Sequence, residues 1–189
     1  MTPDLSLVTE PTPATASAAE FADAMSALTS GVVLVTCRLD GRPWGMTVTA
    51  FASVSADPPT VLVSLGSQTT GARAIAATRS FGVAILAAEQ LEVACFGSQP
   101  GAAKFVERFA VLDPGSASPV LAGALAHLDC EVAEIVEVAD HTVVFGRVRA
   151  ARTSGEGAPL LYHRRAYRTL AASDRALPPT GRSLRCLSS

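Results

Sequence analysis

Polar and apolar residues alternate strictly along residues 45–55. One parity holds small, hydroxyl and aromatic side chains: Gly45, Thr47, Thr49, Phe51, Ser53 and Ser55. The other parity holds Met46, Val48, Ala50, Ala52 and Val54. Because successive side chains of a strand point to opposite faces, this pattern predicts one strand with an apolar face and a hydroxyl-lined face. The hydroxyl face suits a ligand with many polar atoms, and it equally suits a strand whose polar side meets water.

A turn and a helix start follow this strand. Asp57-Pro58-Pro59 ends it, because proline has no amide proton for a ladder, and residues 60–65 form the next strand. Hydroxyl residues then lead into a helix predicted at residues 72–78, with Arg73 in its first turn. Such residues cap helices, and with free amides and the helix dipole they also bind anions such as phosphate. The sequence leaves open whether this is an anion pocket or an ordinary capped helix.

The rest of the chain is also dominated by short strands. Asp40-Gly41 is a strong signal for a two-residue hairpin, and Ala139-Asp140 joins two long strands. Many strands joined by hairpins, with few helices, predict a mainly β protein with a closed or nearly closed antiparallel barrel. The remaining segments are helices at 20–28 and 89–97, strands at 32–39, 81–86, 125–138 and 141–152, a loop at 113–119, and a hairpin at 159–162 and 166–168.

Composition indicates one globular domain. The chain has 189 residues, is 49% hydrophobic and 17% charged, and carries a formal net charge of −2. This charge argues against nucleic-acid binding, and neither a membrane span nor a signal peptide is expected. Four cysteines lack metal-ligand spacing and indicate reduced thiols in a cytoplasmic protein: Cys37, Cys95, Cys130 and Cys186. We expect a flexible arm at 1–18, the domain at 19–170 and a flexible tail at 171–189.

Several motifs occur in an order that resembles a known family. They are the strand at 45–55, Asp57-Pro58-Pro59, Phe81-Gly82-Val83-Ala84-Ile85-Leu86, Lys104-Phe105, Leu128-Asp129-Cys130, Asp140-His141, Gly146-Arg147-Val148, and Pro159-Leu160-Leu161-Tyr162 with Tyr167. The chain resembles the flavin reductases with an FMN-binding split barrel, the reductase components of two-component monooxygenases. The resemblance implies an antiparallel split β-barrel of Greek-key type with a few short flanking helices.

The same resemblance implies an activity. Hydride would pass from NADH or NADPH to FMN or FAD, and the reduced flavin would serve a partner monooxygenase. The enzyme would be a homodimer that binds neither nucleic acid nor membrane. The flavin ring and ribityl chain would lie against Met46, Thr47, Val48, Thr49, Ala50 and Ser53. The flavin phosphate would lie near Ser64, Leu65, Ser67 and Thr69. Lys104 would approach either this phosphate or the pyridine nucleotide, and Phe105 would also lie at the cofactor.

His141 is the predicted catalytic residue, on the nicotinamide side of the site. The family commonly has Gly-Asp-His where this chain has Ala139-Asp140-His141, and a histidine that only caps the turn is the alternative. Tyr162 and Tyr167 border the site or pack in the core or dimer interface. Lys104 is alternatively a solvated side chain. No metal site is expected, although His127 lies three residues before Cys130.

Three functional hypotheses remain open at the level of the sequence. The first is the flavin reductase described above. Hydride transfer needs no nucleophile and no strong acid or base, which agrees with a chain that lacks such motifs. The second is a flavin- or deazaflavin-dependent oxidoreductase that acts on another substrate, and the third is a non-enzymatic flavin- or haem-binding protein. A barrel fold alone does not separate them.

Overall fold

The computed structural model describes residues 15–154 and 157–170, which form three α-helices, one turn of 3-10 helix and twelve strands. The helices are α1 (Ala18–Ser26), α2 (Thr70–Thr78) and α3 (Leu91–Ser98), with the 3-10 turn at Ala88–Gln90. The strands are β1 (Ser30–Gly31), β2 (Val33–Leu39), β3 (Arg42–Val48), β4 (Phe51–Ala56), β5 (Pro59–Gly66), β6 (Ser80–Ile85), β7 (Ala110–Val111), β8 (Val120–Leu121), β9 (Ala126–Val138), β10 (His141–Thr153), β11 (Leu161–His163) and β12 (Ala166–Arg168).

The predicted terminal segments are largely outside the described residues. Of the arm predicted at 1–18, only 15–18 is described, and here Ser17 caps α1 with its hydroxyl. The tail predicted at 171–189, which includes Cys186, lies wholly outside.

One antiparallel sheet of seven strands has the order β3-β2-β6-β9-β10-β5-β4. Its two edge strands, β3 and β4, follow each other in the chain and are joined by only Thr49 and Ala50. The two edges of the sheet therefore meet at this point, and the sheet has to curl. Among the described strands no ladder closes β3 against β4, so the barrel stays open there. This confirms the predicted mainly β fold with an antiparallel split barrel.

Tight turns fix the register of the hairpins. Asp40 and Gly41 join β2 to β3 with φ of 50° and 75°, the positive signs that a type I′ turn requires. The 13-residue strands β9 and β10 are joined at Ala139-Asp140, where Val138 pairs with His141. Ala139 adopts a φ of 53°, so alanine occupies a left-handed conformation that favours glycine. Both predicted hairpins are confirmed.

The prediction of one amphipathic strand at 45–55 is wrong. The ladder stops at Val48 and resumes at Phe51. In β3 the consecutive residues Trp44, Gly45 and Met46 are all buried, because this strand is covered on both faces. In β4, the other edge strand, almost every residue is exposed, including Val54 at 49%. The alternation of polar and apolar residues continues through Thr49 and Ala50, so the sequence pattern gives no sign that the strand ends there.

Strand β2 separates two hydrophobic clusters. Val33, Val35 and Cys37 face the barrel interior, while Val32 just before the strand and Leu34 face an outer cluster that includes residues of α3. Packing on the outer cluster holds α3 against β3. The segment predicted as a helix at 89–97 begins as the 3-10 turn and continues as α3. This arrangement brings the end of α3 to the gap between β3 and β4.

Candidate functional site

A cleft of about 580 Å³ lies at the gap between β3 and β4. Its size is that of a typical small-molecule site. No aspartate or glutamate lines it within the described part of the chain. Its lining comprises Met46, Thr47, Val48, Thr49, Ala50, Ser64, Leu65, Gly66, Ser98, His141, Tyr162, Arg165 and Tyr167.

The two residues between the edge strands offer free backbone donors. The carbonyl of Thr49 accepts from the amide of Phe51 at 3.0 Å, and the carbonyl of Ala50 accepts from the amide of Ser64 at 3.0 Å. Neither amide of this pair, nor the Thr49 hydroxyl, has an acceptor among the described residues. Both residues are exposed at the cleft. They can therefore donate hydrogen bonds to a ligand edge rich in acceptors.

Thr47 holds the wall of the cleft together. Its hydroxyl donates to the carbonyl of Ala94 in α3 at 2.9 Å, and the Tyr167 hydroxyl donates to the same carbonyl at 3.3 Å. Burial raises the pKa of Tyr167, so its hydroxyl remains a neutral donor. The rings of Tyr162 and Tyr167 pack edge to face with centroids 5.3 Å apart. Both tyrosines thus border the cleft and also pack the terminal hairpin against α3.

His141 opens β10 and pairs with Gly66 across the ladder. Its Nδ1 lies 2.7 Å from Oδ1 of Asp140. An ionised carboxylate can only accept, so Nδ1 carries the proton, and Nε2 is left for another partner. The hydrogen bond from His141 lowers the pKa of Asp140, which keeps that carboxylate charged. The side chain of His141 is half exposed, so its oriented ring is available to a ligand.

The residues predicted for the phosphate divide into two sets. Ser64 and Leu65 line the cleft. Ser67 donates from its hydroxyl to the Glu137 carboxylate at 2.8 Å, and Thr69 caps α2 by accepting from the amide of Ala72 at 3.2 Å. The capped helix considered in the sequence is present. Binding of a phosphate by Ser67 and Thr69 stays a prediction.

Ser67 and Thr69 do not line the cleft, and three further predicted cofactor residues also lie outside it. Lys104 lines a separate cavity of about 270 Å³ with Thr69, and this cavity shares Met46 with the cleft. Burial lowers the pKa of Lys104. Phe105 forms a β-bridge with Trp44 and lies under the Arg42 guanidinium, 3.8 Å from the ring centroid. Ser53 is on the exposed edge strand β4 and does not line the cleft.

Three lining residues were missed by the sequence analysis: Gly66, Ser98 and Arg165. Gly66 and Ser98 carry no local signal, because they end a strand and a helix that only the fold brings together. Arg165 did carry one, since two arginines in succession stand at the turn of a short predicted hairpin, where glycine or asparagine is usual.

A buried polar network lies away from the cleft. Ser116 and Ser118 donate to the carboxylate of Asp129, Ser116 at 2.6 Å. Burial alone would raise the pKa of Asp129, but these hydrogen bonds outweigh it and the pKa is lowered. Burial lowers the pKa of His127, whose Nε2 is 3.5 Å from Asp129. Among the described residues no cluster of three or more metal-ligating side chains occurs. The network ties the loop at 113–119 to β9.

The three described cysteines are free thiols. Cys37 and Cys130 are buried, and burial raises the pKa of each to about 12. Cys95, on α3, is exposed.

Comparison with known proteins identifies the family. The sequence model of the family described as "Flavin reductase like domain" matches residues 25–171. The chain belongs to this family. An NADH-dependent flavin reductase from a Rhodococcus species is 36% identical over 154 residues, which cover 78% of the chain and 83% of that protein. The reductase component of flavin-dependent trigonelline monooxygenase from Acinetobacter baylyi is 34% identical over 82% of the chain, which spans about half (49%) of that longer relative.

A solved structure agrees with this membership of the flavin reductase like family. The NADH:FAD oxidoreductase SgcE6 of Streptomyces globisporus C-1027, in complex with NAD and FAD fragments, superimposes with a TM-score of 0.76 at 29% identity. The match covers 83% of the chain and 94% of that structure. No helix in residues 15–154 and 157–170 is both long enough and apolar enough to cross a membrane.

The cleft of this flavin reductase family member fits a flavin. The amides of Thr49 and Ala50, which have no acceptor among the described residues, are donors of the kind that the acceptor atoms of an isoalloxazine ring require, and apolar Met46 and Val48 line the same cleft. Ser64, predicted for the flavin phosphate, also lines the cleft. The donors that line the cleft are therefore compatible with the cofactor predicted from the sequence.

Proposed function

We propose that the chain is a flavin reductase that transfers hydride from NADH or NADPH to FMN or FAD and supplies the reduced flavin to a separate flavin-dependent monooxygenase. The main support is the open cleft whose floor carries the free amides of Thr49 and Ala50. The names of the relatives, which are NADH-dependent flavin reductases and monooxygenase reductase components, point to the same reaction.

A bound flavin supplies the ring that accepts the hydride, so the protein has to bind and align rather than provide an acid or base. Thr49 and Ala50 would donate to the ring edge from their amides. Thr47 would keep this floor in place through its bond to Ala94. His141, oriented by Asp140 at 2.7 Å, would present Nε2 and its ring edge to the nicotinamide.

The exposure of the site favours a flavin that exchanges with solvent. Thr49 and Ala50 are exposed and His141 is half exposed. Within the described residues no segment covers the cleft. Reduced flavin could therefore leave without a large rearrangement, as delivery to a separate oxygenase by diffusion requires. A protein that retains its flavin would be expected to enclose it more fully.

A homodimer is part of this proposal. Helix α1 contributes no buried residue, and its apolar side chains are exposed at 64% for Phe21 and 45% for Met25, followed by Leu28 at 56%. In the described part of the chain this apolar face of α1 is exposed, and such a face suits contact with a second copy of the chain. We further propose a cytoplasmic location, which the free thiols of the described cysteines support.

The test is NADH and NADPH oxidation by the purified chain, with and without added FMN or FAD. We expect oxidation that depends on added flavin, with reduced flavin accumulating free in solution under anaerobic conditions. Tightly bound flavin without such turnover would instead support an oxidoreductase for another substrate or a non-enzymatic binding protein. Light scattering of the same sample would give the mass of a dimer.

A further inference from the structure

The hairpin of β11 and β12 turns through an unfavourable pair of residues. His163 pairs with Ala166, which leaves Arg164 and Arg165 as the two-residue loop. Their φ values are 47° and 60°, the positive signs of a type I′ turn. Residues with a side chain are disfavoured in this region, and glycine or asparagine relieves the strain. Two arginines here make the hairpin less stable than it could be.

The same chain uses the favourable sequence for the same type of turn elsewhere. Asp40 and Gly41, with φ of 50° and 75°, join β2 to β3. Their turn lies outside the cleft lining. The contrast indicates that the residues at 164–165 serve something other than the turn itself. Backbone strain that persists at a binding site is a reason to look for a functional side chain.

Arg165 is the only arginine or lysine among the described residues that line the cleft. It comes from the small sheet of β1, β11 and β12, whereas Ser64 and Leu65, predicted for the flavin phosphate, come from β5 of the large sheet. Arg165 therefore belongs to a different wall of the cleft from the predicted flavin phosphate site. A planar guanidinium with five donors is well suited to a phosphate group.

Arg165 forms an ion pair with a carboxylate of the same chain, and a ligand anion can replace that carboxylate. Its guanidinium lies 2.7 Å from the Asp23 carboxylate of α1, and both side chains are well exposed, at 63% and 77%. Exposed ion pairs of this kind contribute little to stability. A dianionic pyrophosphate can therefore compete with Asp23 for Arg165. Helix α1 keeps a second link to the hairpin, because the amide of Arg164 donates to the carbonyl of Ser26 at 2.8 Å.

We infer that Arg165 binds the pyrophosphate of the reduced nicotinamide dinucleotide and so determines affinity for that substrate. The identity of the dinucleotide rests on the proposed function. Arg165 takes no part in hydride transfer. Its loss should raise KM for NADH and leave kcat nearly unchanged.

Four variants separate this role from the alternatives. Arg165→Asn removes the charge and suits the positive φ, and Arg165→Lys keeps the charge. Arg164→Asn is the matched control, because it removes the same charge from the same turn outside the cleft lining. Asp23→Asn removes the competing carboxylate. KM for NADH at saturating flavin, binding of ADP-ribose, binding of FMN and riboflavin, and Tm are measured for each.

We expect Arg165→Asn to weaken ADP-ribose binding and raise KM for NADH by about tenfold, the loss of one charge-assisted contact. Tm should stay equal or rise by a few degrees, since the strain is relieved. Arg165→Lys should restore part of the affinity, and Arg164→Asn should change neither constant. Asp23→Asn should leave KM unchanged or lower it.

Three results would overturn the inference. If Arg165→Asn and Arg164→Asn changed KM for NADH and ADP-ribose binding equally, Arg165 would contribute only to the general surface charge. A raised KM in Asp23→Asn would mean that Arg165 acts by anchoring α1. Weaker binding of FMN but not riboflavin would assign it to the flavin phosphate. If the wild-type chain oxidises no nucleotide with any flavin, the proposed function fails, while ADP-ribose titration of Arg165→Asn still decides whether the pyrophosphate site exists.

Discussion

The cleft wall depends on the close approach of Gly97 in α3 to Thr47 in β3, and the substitution Gly97→Ala tests this contact. A Cβ at this position would lie 2.4 Å from Oγ1 and 2.9 Å from the backbone nitrogen of Thr47, and 3.0 Å from a methyl group of Leu34. Because one of these atoms is backbone, no side-chain rotation relieves the clash. Helix α3 has to move away from β3, and the bond from Thr47 to Ala94 is lost or lengthened.

The expected magnitude follows from three contributions. Overpacking a close contact costs about 1–3 kcal/mol, and the lost hydrogen bond adds about 0.5–1.5 kcal/mol. Alanine offsets roughly 1 kcal/mol of this because it favours the helix more than glycine does. The net destabilisation of Gly97→Ala should be about 0.5–3.5 kcal/mol, which lowers Tm by roughly 1–14 °C in a domain of this size.

The displaced wall should also affect the ligand. Thr47 lies two residues before Thr49, so a shift of Thr47 should displace the Thr49 amide that is proposed to donate to the flavin. Loss of one such hydrogen bond would weaken flavin binding by roughly 2–10-fold. Thermal unfolding and a flavin fluorescence titration measure the two effects. Gly31→Ala is the matched control, since a Cβ there meets no atom within 4 Å. If Gly97→Ala matched Gly31→Ala in both Tm and flavin affinity, the close contact would not support the site.

Four further predictions follow from single side chains. His141→Ala should slow flavin reduction by NADH while the flavin dissociation constant stays within about twofold; equal turnover would remove His141 from the nicotinamide side. Thr49→Val should weaken flavin binding by about 0.5–1.5 kcal/mol, because the cleft loses the Thr49 hydroxyl as a donor while the amide stays, and an unchanged dissociation constant in a titration would refute this. Ala139→Gly should stabilise the fold by about 1 kcal/mol in urea unfolding, because glycine adopts the φ of 53° without strain; a lower midpoint would contradict it. Burial lowers the pKa of His127 in the folded state, so below pH ~6.5 the unfolded chain binds more protons than the folded chain. The contribution of neutral His127 to the free energy of unfolding should therefore be complete above pH ~6.5 and decrease as the pH falls below that value. His127→Gln should flatten this pH dependence of stability, and an unchanged slope would assign it to other groups.

Local signals were sufficient for the hairpins and the fold class. Asp40-Gly41 requires a tight turn, and the positive φ of both residues shows that it forms. The long strands β9 and β10 could be predicted because their alternation is sustained over many residues. These features depend on backbone chemistry within a few positions of each other, which a single sequence contains.

The site was harder to predict because it depends on contacts between distant segments. The break at Thr49-Ala50 exists because β3 and β4 lie at opposite edges of one sheet, and their hydroxyl pattern does not encode this. Thr47 was predicted to face a ligand, yet its hydroxyl bonds to Ala94, almost fifty positions away. Arg165 enters the cleft only because the terminal hairpin packs beside α3.

The burial of two thiols affects how well the protein resists oxidation during turnover. Reduced flavin that escapes into aerated solution reacts with dioxygen and generates peroxide, and peroxide attacks thiolates rather than thiols. With a pKa of about 12, Cys37 and Cys130 are ionised to only about one part in 10⁵ at pH 7. They should therefore survive repeated turnover in air, and among the three described cysteines oxidative damage should begin at the exposed Cys95.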